Sequence, residues 1–211
     1  MELTRTANAG ILLKLDGISI LLDGVCREVK PYPATPAELR AQLMENWPDA
    51  VGFTHNHKDH YDPAYAAAYL QQTGRVILGP EAVKGKKETV TVGGVTITPV
   101  PCRHIGAAGR DVEHMGFVIQ GSKCVWFTGD SAPTQWQGRG LPAPDVLVVP
   151  YAYANTPSSW ALTRSFGAEK IFLLHMPEKQ ADILGLWTAV EAATEGSCAL
   201  QPIAMGETYI I

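Results

Sequence analysis

Short runs of alternating apolar and polar residues open the chain. Glu2–Thr6, Gly10–Leu15 and Ile18–Leu22 carry the period of short strands, and Asp16-Gly17 predicts a hairpin turn between the last two. Leu39, Leu43 and Trp47 recur every four residues, so the spacing predicts an amphipathic helix over Pro36–Trp47. Ala50–Phe53 is a brief apolar strand that runs into a histidine-rich loop. Asp62-Pro63 then offers a capping carboxylate followed by proline at the first helical position, which predicts a helix through about Gln72.

The second half repeats the theme. Val90 and Val92, then Gly93-Gly94, then Val95 and Ile97 alternate with threonines and predict a hairpin. A second hairpin is expected from Met115–Gln120, Gly121-Ser122 and Lys123–Phe127. Val146–Val149 and Ile171–Leu174 are continuous apolar runs, as in strands covered on both faces. Helices are expected over Thr156–Phe166 and Gln180–Glu195, and a last strand over Thr208–Ile211. Strands in two batches with interspersed helices predict an α/β chain of two facing sheets with helices outside, in one domain over residues 1–211.

Composition narrows the function classes. Of 211 residues, 46% are hydrophobic and 18% charged, the balance of a globular protein, not a disordered one. The net charge of −4 and pI near 5.8 argue against a long nucleic-acid partner, which needs a basic stripe. No apolar run has the length of a membrane span, so no membrane partner is expected. The N-terminal Met1–Thr6 has neither the basic segment nor the apolar core of a signal peptide. Cys26, Cys102, Cys124 and Cys198 lie far apart with no C-x-x-C spacing, so they read as reduced thiols. Both features predict a cytoplasmic protein. A homo-oligomer is compatible with this composition.

The strongest chemical signal is Thr54-His55-Asn56-His57-Lys58-Asp59-His60, an H-x-H-x-D-H pattern. His55 and His57 are two apart on an extended loop, so both imidazoles can face one side and chelate one ion. Asp59 and His60 fall where the chain turns toward the next helix and can address a second. Imidazole nitrogen and carboxylate oxygen suit zinc, iron or manganese. His104, Asp130 and His175 share one placement with His55, each lying just beyond an apolar strand. In layered α/β folds that edge is where sites assemble. Singly, each reads as readily as a turn or core residue.

Together these residues resemble the metallo-β-lactamase fold superfamily over nearly the whole chain. The likeness runs from the opening hairpin Gly10–Asp23 through H-x-H-x-D-H and Gly129-Asp130 to His175 and Met205-Gly206-Glu207. It is similar to the small branch that includes ascorbate-6-phosphate-lactonase-like metal-dependent hydrolases. The resemblance implies an αββα four-layer sandwich of two mixed sheets. It also implies two divalent ions, zinc foremost with manganese or iron as alternatives. His55, His57 and His104 would hold one, Asp59, His60 and His175 the other, and Asp130 would bridge, with a hydroxide between the ions as nucleophile. Asp130 and Asp59 are then the catalytic carboxylates. The third histidine position goes to His104 and not His114: His104 follows the first hairpin, with Gly106 and Gly109 free to bend beyond it, whereas His114 leads into the next strand.

Departures from the pattern are informative. The best-known zinc β-lactamases carry cysteine where Asp130 stands, so antibiotic hydrolysis is not implied. The flavodiiron branch has glutamate where His57 stands, and nuclease branches are much longer. Lys58 stands where small residues are common.

Several residues are candidates for the substrate pocket: His114, Tyr151, Tyr153 and Asn155 at the site edge, and Arg103, Arg110 and Arg139 as anion partners. Trp136 and Trp160 read equally as pocket walls or core, and Asp23 as a turn residue or a partner of the metal loop. Two ions outweigh the charge of two aspartates and hydroxide, which favours a small anionic ester, lactone or similar acyl substrate. Alternatives are a phosphodiesterase on cyclic or short nucleotides, and a metal-containing binding or sensor protein without turnover.

Overall fold

The computed structural model describes residues 1–106, 111–195 and 197–211. Its first sheet is built from β1 (Glu2–Arg5), β2 (Ile11–Leu15), β3 (Ile18–Leu22), β4 (Ala50–Gly52), β5 (Ile77–Leu78) and, closing the chain, β13 (Thr208–Ile210). The order is β13-β1-β2-β3-β4-β5, antiparallel as far as β3 and parallel from β3 to β5. The second sheet holds β6 (Val90–Val92), β7 (Val95–Arg103), β8 (Glu113–Gln120), β9 (Cys124–Phe127), β10 (Val146–Pro150), β11 (Lys170–Leu174) and β12 (Leu200–Pro202). They run in reverse numerical order across the sheet. β6 to β9 form an antiparallel meander, and β9 to β12 are parallel.

Alternation along the strands sorts the core into layers. Ile20 and Leu22, Val146 and Val148, and Phe172 and Leu174 point between the sheets, where they meet Ile97, Phe117 and Phe127. The residues between them face outward. Leu21 and Val51 pack with Leu43, Tyr65 and Tyr69 of α1 (Ala37–Glu45) and α2 (Pro63–Thr73). Leu147, Val149, Ile171 and Leu173 pack with Trp160 and Val190 of α3 (Pro157–Ser165) and α4 (Leu186–Thr194). The result is the expected helix–sheet–sheet–helix order. Each large apolar side chain so buried contributes roughly 1.5–3 kcal/mol of transfer free energy. No helix among the described residues is long and apolar enough to cross a membrane.

Local chemistry sets the helix ends. Asp62 accepts the Ala64 and Tyr65 N–H groups at 2.8 and 3.2 Å, with Pro63 next, and Gly74 closes α2 at φ +66°. Thr156 caps α3 through the Ser159 N–H, again ahead of a proline. The helix expected from Gln180 starts later. Residues 179–181 form a separate 3-10 turn, Gly185 takes φ +66°, and the Asp182 carboxylate accepts the Leu186 and Trp187 N–H groups. Asp182 thereby caps a helix that begins at Leu186. The helix expected over Pro36–Trp47 ends at Glu45, because Pro48 bars continuation. Trp47 still packs on Tyr65 and Tyr69. The strands β5 and β12, two and three residues long, give too short a pattern to predict.

Strand direction is what places the site. β1, β3 and β4 all run toward one edge of the first sheet, and β7, β9, β10 and β11 toward the adjoining edge of the second. The segments that follow them carry Asn8, Asp23, His55–His60, His104, Asp130, Tyr151 and His175.

Candidate metal centre

At this edge the side chains of His55, His57 and His104 form one group whose ligand atoms lie within 4.8 Å of one another; Asp59, His60 and His175 form another. His55, His60 and Asp130 form a third that overlaps both. Asp130 Oδ2 lies 3.3 Å from Nε2 of His60, 3.3 Å from Nε2 of His175 and 3.5 Å from Nε2 of His104. Asp59 Oδ2 is 3.3 Å from His175 Nε2.

Outer partners fix which nitrogen of each ring stays bare. Asp23, fully buried, accepts the His60 Nδ1–H at 2.8 Å. It also accepts the Thr54 N–H at 2.7 Å and the Thr54 hydroxyl at 2.6 Å. The single proton of Thr54 Oγ1 goes to Asp23, so His55 Nδ1–H donates to Thr54 Oγ1 at 2.9 Å. His104 Nδ1–H donates to the Ile105 carbonyl. In all three rings Nδ1 carries the proton given to the outer partner, so Nε2 is the atom that turns inward. These Nε2 atoms, that of His175 and Asp130 Oδ1 are buried without a hydrogen-bond partner. Buried polar atoms are costly when unpaired, so imidazole nitrogens converging beside carboxylates fit a cation, whether proton or metal.

Electrostatics point the same way. Burial disfavours charge on His60 and His175, but the Asp130 carboxylate outweighs it, with help from Asp23 and Asp59 respectively. His60 is held well above the usual imidazole range and His175 is raised to about 9. The field that draws protons to these nitrogens would draw a divalent ion equally.

His114 behaves differently. Its Nε2 accepts the Asp130 N–H at 3.0 Å, which consumes the lone pair and leaves the proton on Nδ1, buried and unpartnered. Burial, against the pull of Asp130, lowers its pKa to about 3, so it is neutral. It steadies the Asp130 turn. Gly129 makes that contact possible: its φ is +52°, and a Cβ there would sit 2.6 Å from Thr54 and 2.7 Å from His114 Nε2.

Other sequence-nominated residues separate. Tyr151 lies beside His175 with ring centroids 6.3 Å apart, whereas Tyr153 is fully buried with its hydroxyl on Ser131. Tyr153 therefore belongs to the core beneath the site and does not line a pocket. Trp136 joins it by donating to Ser131 Oγ, and Trp160 packs in the outer layer. Arg139 is exposed, bonds the Gln135 carbonyl and lies with Trp126, Trp136 and Phe166 at the outer layer. Arg103 is exposed on the wall of a cavity shared with His104 and His114. Asn155 is half-buried, and Arg110 lies outside the described residues. All four cysteines are free.

Two site residues gave no sequence signal. Asn8, fully buried, donates to Asp59 Oδ2 at 3.4 Å, and its own carbonyl accepts from His175 N–H and Arg5. Tyr32 stacks edge-on to His175 at 4.5 Å.

Comparison with known proteins agrees with the architecture. A family model described as a beta-lactamase superfamily domain matches residues 2–160. No curated protein matches the chain. Among solved structures, an isothiocyanate hydrolase from Delia radicum gut bacteria is 18% identical with a TM-score of 0.72, covering 100% of this chain and 99% of its own. A possible metal-dependent hydrolase from Veillonella parvula is 16% identical with a TM-score of 0.73 and the same coverage. A diiron β-hydroxylase from Streptomyces venezuelae is 14% identical with a TM-score of 0.66, covering 100% of this chain and 54% of its own. The likeness to these structures is one of fold and includes the segment bearing His175, which lies beyond the family match. With its two mixed sheets, its outer helices and a family match over most of its length, the chain belongs to the β-lactamase superfamily and has the metallo-β-lactamase fold.

Proposed function

We propose that the protein is a dinuclear metal-dependent hydrolase acting on a small anionic ester, lactone or similar acyl substrate. The observation that carries this reading is Asp130 Oδ2, which faces Nε2 of His104 from one ligand group and of His60 and His175 from the other. His55, His57 and His104 would hold one ion, Asp59, His60 and His175 the second, with Asp130 shared. Seven donors exceed what one four-coordinate site can use, and a nitrogen-rich set suits zinc, with manganese or iron also accommodated. The hydrolase descriptions of the Veillonella parvula and Delia radicum gut-bacteria proteins agree with this reading.

When bound, two such ions supply a nucleophile at neutral pH by acidifying water and polarise the oxygen of the group under attack. The chain's own residues do the rest. Asp23 and Thr54 lock the ring orientations of His60 and His55, and Asn8 holds Asp59. Asp59 is the more open of the two carboxylates, its side chain 13% exposed against 9% for Asp130, and is placed to move a proton at Oδ2. Neutral imidazoles and two carboxylates leave a pair of divalent ions undercompensated, which favours an anionic substrate.

The test is a panel of lactones, thioesters and aryl esters set against cyclic and short phosphodiesters, run on zinc- and manganese-loaded protein. Acyl hydrolysis that vanishes with a chelator and returns with metal is expected. Turnover of phosphodiesters alone would make it a phosphodiesterase, and two bound ions without turnover a binding protein.

A further inference from the structure

A cavity of about 540 Å³ lies against the paired ends of β7 and β8 and is lined by Arg103, its cross-strand neighbour Glu113, His104 and His114, with Lys87 beside Glu113. One wall is thus part of the candidate metal centre. Its two cations differ. Lys87 is paired with Glu113, whose other oxygen accepts the Glu81 N–H, so that charge is already answered. The Arg103 guanidinium has neither a carboxylate nor a hydrogen-bond acceptor in contact among the described residues.

Its backbone, by contrast, is held on both sides of His104. The Gln135 side chain accepts the Arg103 N–H and donates to the Arg103 carbonyl at 2.7 Å. The Ile105 N–H donates to the Asp130 carbonyl, also at 2.7 Å. A planar five-donor fork on a fixed root, with its charge uncommitted, suits bidentate capture of a carboxylate or phosphate.

Building on the hydrolase reading, we propose that Arg103 is the specificity-determining anchor for the substrate's anionic group, and that Gln135 positions it. Arg103 and the candidate ligand His104 line the same cavity, so an anion held by the guanidinium would share that space with a group at the metal centre.

The test compares zinc-loaded wild-type protein with Arg103→Gln and Arg103→Lys. Glutarate and butyrate are titrated by NMR, and the 4-nitrophenyl esters of glutaric acid (one carboxylate free) and pentanoic acid are assayed. Losing one charge-assisted contact should weaken glutarate binding about tenfold or more in Arg103→Gln. Arg103→Lys should retain part of the affinity, and butyrate, whose single carboxylate would rest on the zinc-loaded centre, should lose much less than glutarate in Arg103→Gln. KM for the anionic ester should rise with kcat little changed, while the neutral ester is unaffected. Equal glutarate affinity in wild type and Arg103→Gln would overturn the anchor. Should neither ester turn over, these esters are not substrates and the panel above decides the hydrolase reading, while the glutarate titration still decides the anchor. The Gln135 clamp uses only the main chain of residue 103, so these variants leave it in place.

Discussion

Asp23 Oδ2 and His60 Nδ1 are hydrogen bonded at 2.8 Å with both side chains fully buried, joining the end of β3 to the histidine loop after β4. Removing Asp23 frees the His60 ring to rotate and strands the Thr54 N–H. Asp23→Ala is expected to weaken zinc binding about 10–100-fold, the usual cost of losing an outer partner of a metal-ligating histidine. Competition with a chromophoric chelator measures it. Unchanged affinity would reduce Asp23 to a turn residue.

His104 and His114 give opposite expectations because their Nε2 atoms are used differently. His104→Ala should lose one ion per chain in elemental analysis. His114→Ala should keep both and instead lower thermal stability by about 1–3 kcal/mol, since the buried Asp130 N–H loses its acceptor. The reverse pattern would exchange their roles.

Asp130 faces both ligand groups, so its loss should be felt by both ions. Wild-type protein saturated with zinc should carry two ions per chain, and Asp130→Ala fewer. Its kcat/KM on any substrate found should fall by more than the roughly 100-fold upper range of an outer-partner variant. Arg139→Ala, altered in the outer layer beside Trp126 and Phe166, should stay near wild type.

Asp62 links pH to stability. Burial alone would raise its pKa, but Arg40 and the capped N–H groups of Tyr65 and Ala64 outweigh burial and hold it below the usual carboxylate value. A depressed carboxylate stabilises the fold above its unfolded pKa of about 3.9 and loses that contribution as pH falls through the folded value. Asp62→Asn, which keeps a capping oxygen, should cost about 1 kcal/mol at pH 7. The gap to wild type should close below about pH 4. Denaturant melts across pH 3–7 would show it, and a gap independent of pH would remove the ion pair from the account.

Much of this was legible in the chain. The H-x-H-x-D-H spacing and the apolar runs ahead of His104, Asp130 and His175 located seven residues that the fold brings to one edge. Reasoning from residues just past strand ends has a blind side, however. β8 is antiparallel to its neighbours and begins at that same edge, which is how His114 joins the cluster from inside a strand. Asn8 and Tyr32 had no spacing to betray them, because their contacts depend on how the two sheets pack. Tyr153 looked like a pocket residue from its position after β10, but the 3-10 turn there directs it to Ser131. The start of α4 was hidden for a similar reason, since Asp182 caps across an intervening turn instead of directly.

The two ligand groups each draw on both sheets: His55 and His57 come from the first and His104 from the second, as do Asp59 and His60 against His175. Two backbone bonds already span the gap at this edge, from Met115 N–H to the Thr54 carbonyl and from His175 N–H to the Asn8 carbonyl. Any ion held by either group would therefore act as a further cross-link between halves of the molecule that are otherwise joined by apolar packing and a few hydrogen bonds. Metal affinity and folding free energy would then be one linked quantity. At a free metal concentration 100 times Kd, the loaded fold would gain about 2.7 kcal/mol from each such ion, and the melting temperature would follow metal supply.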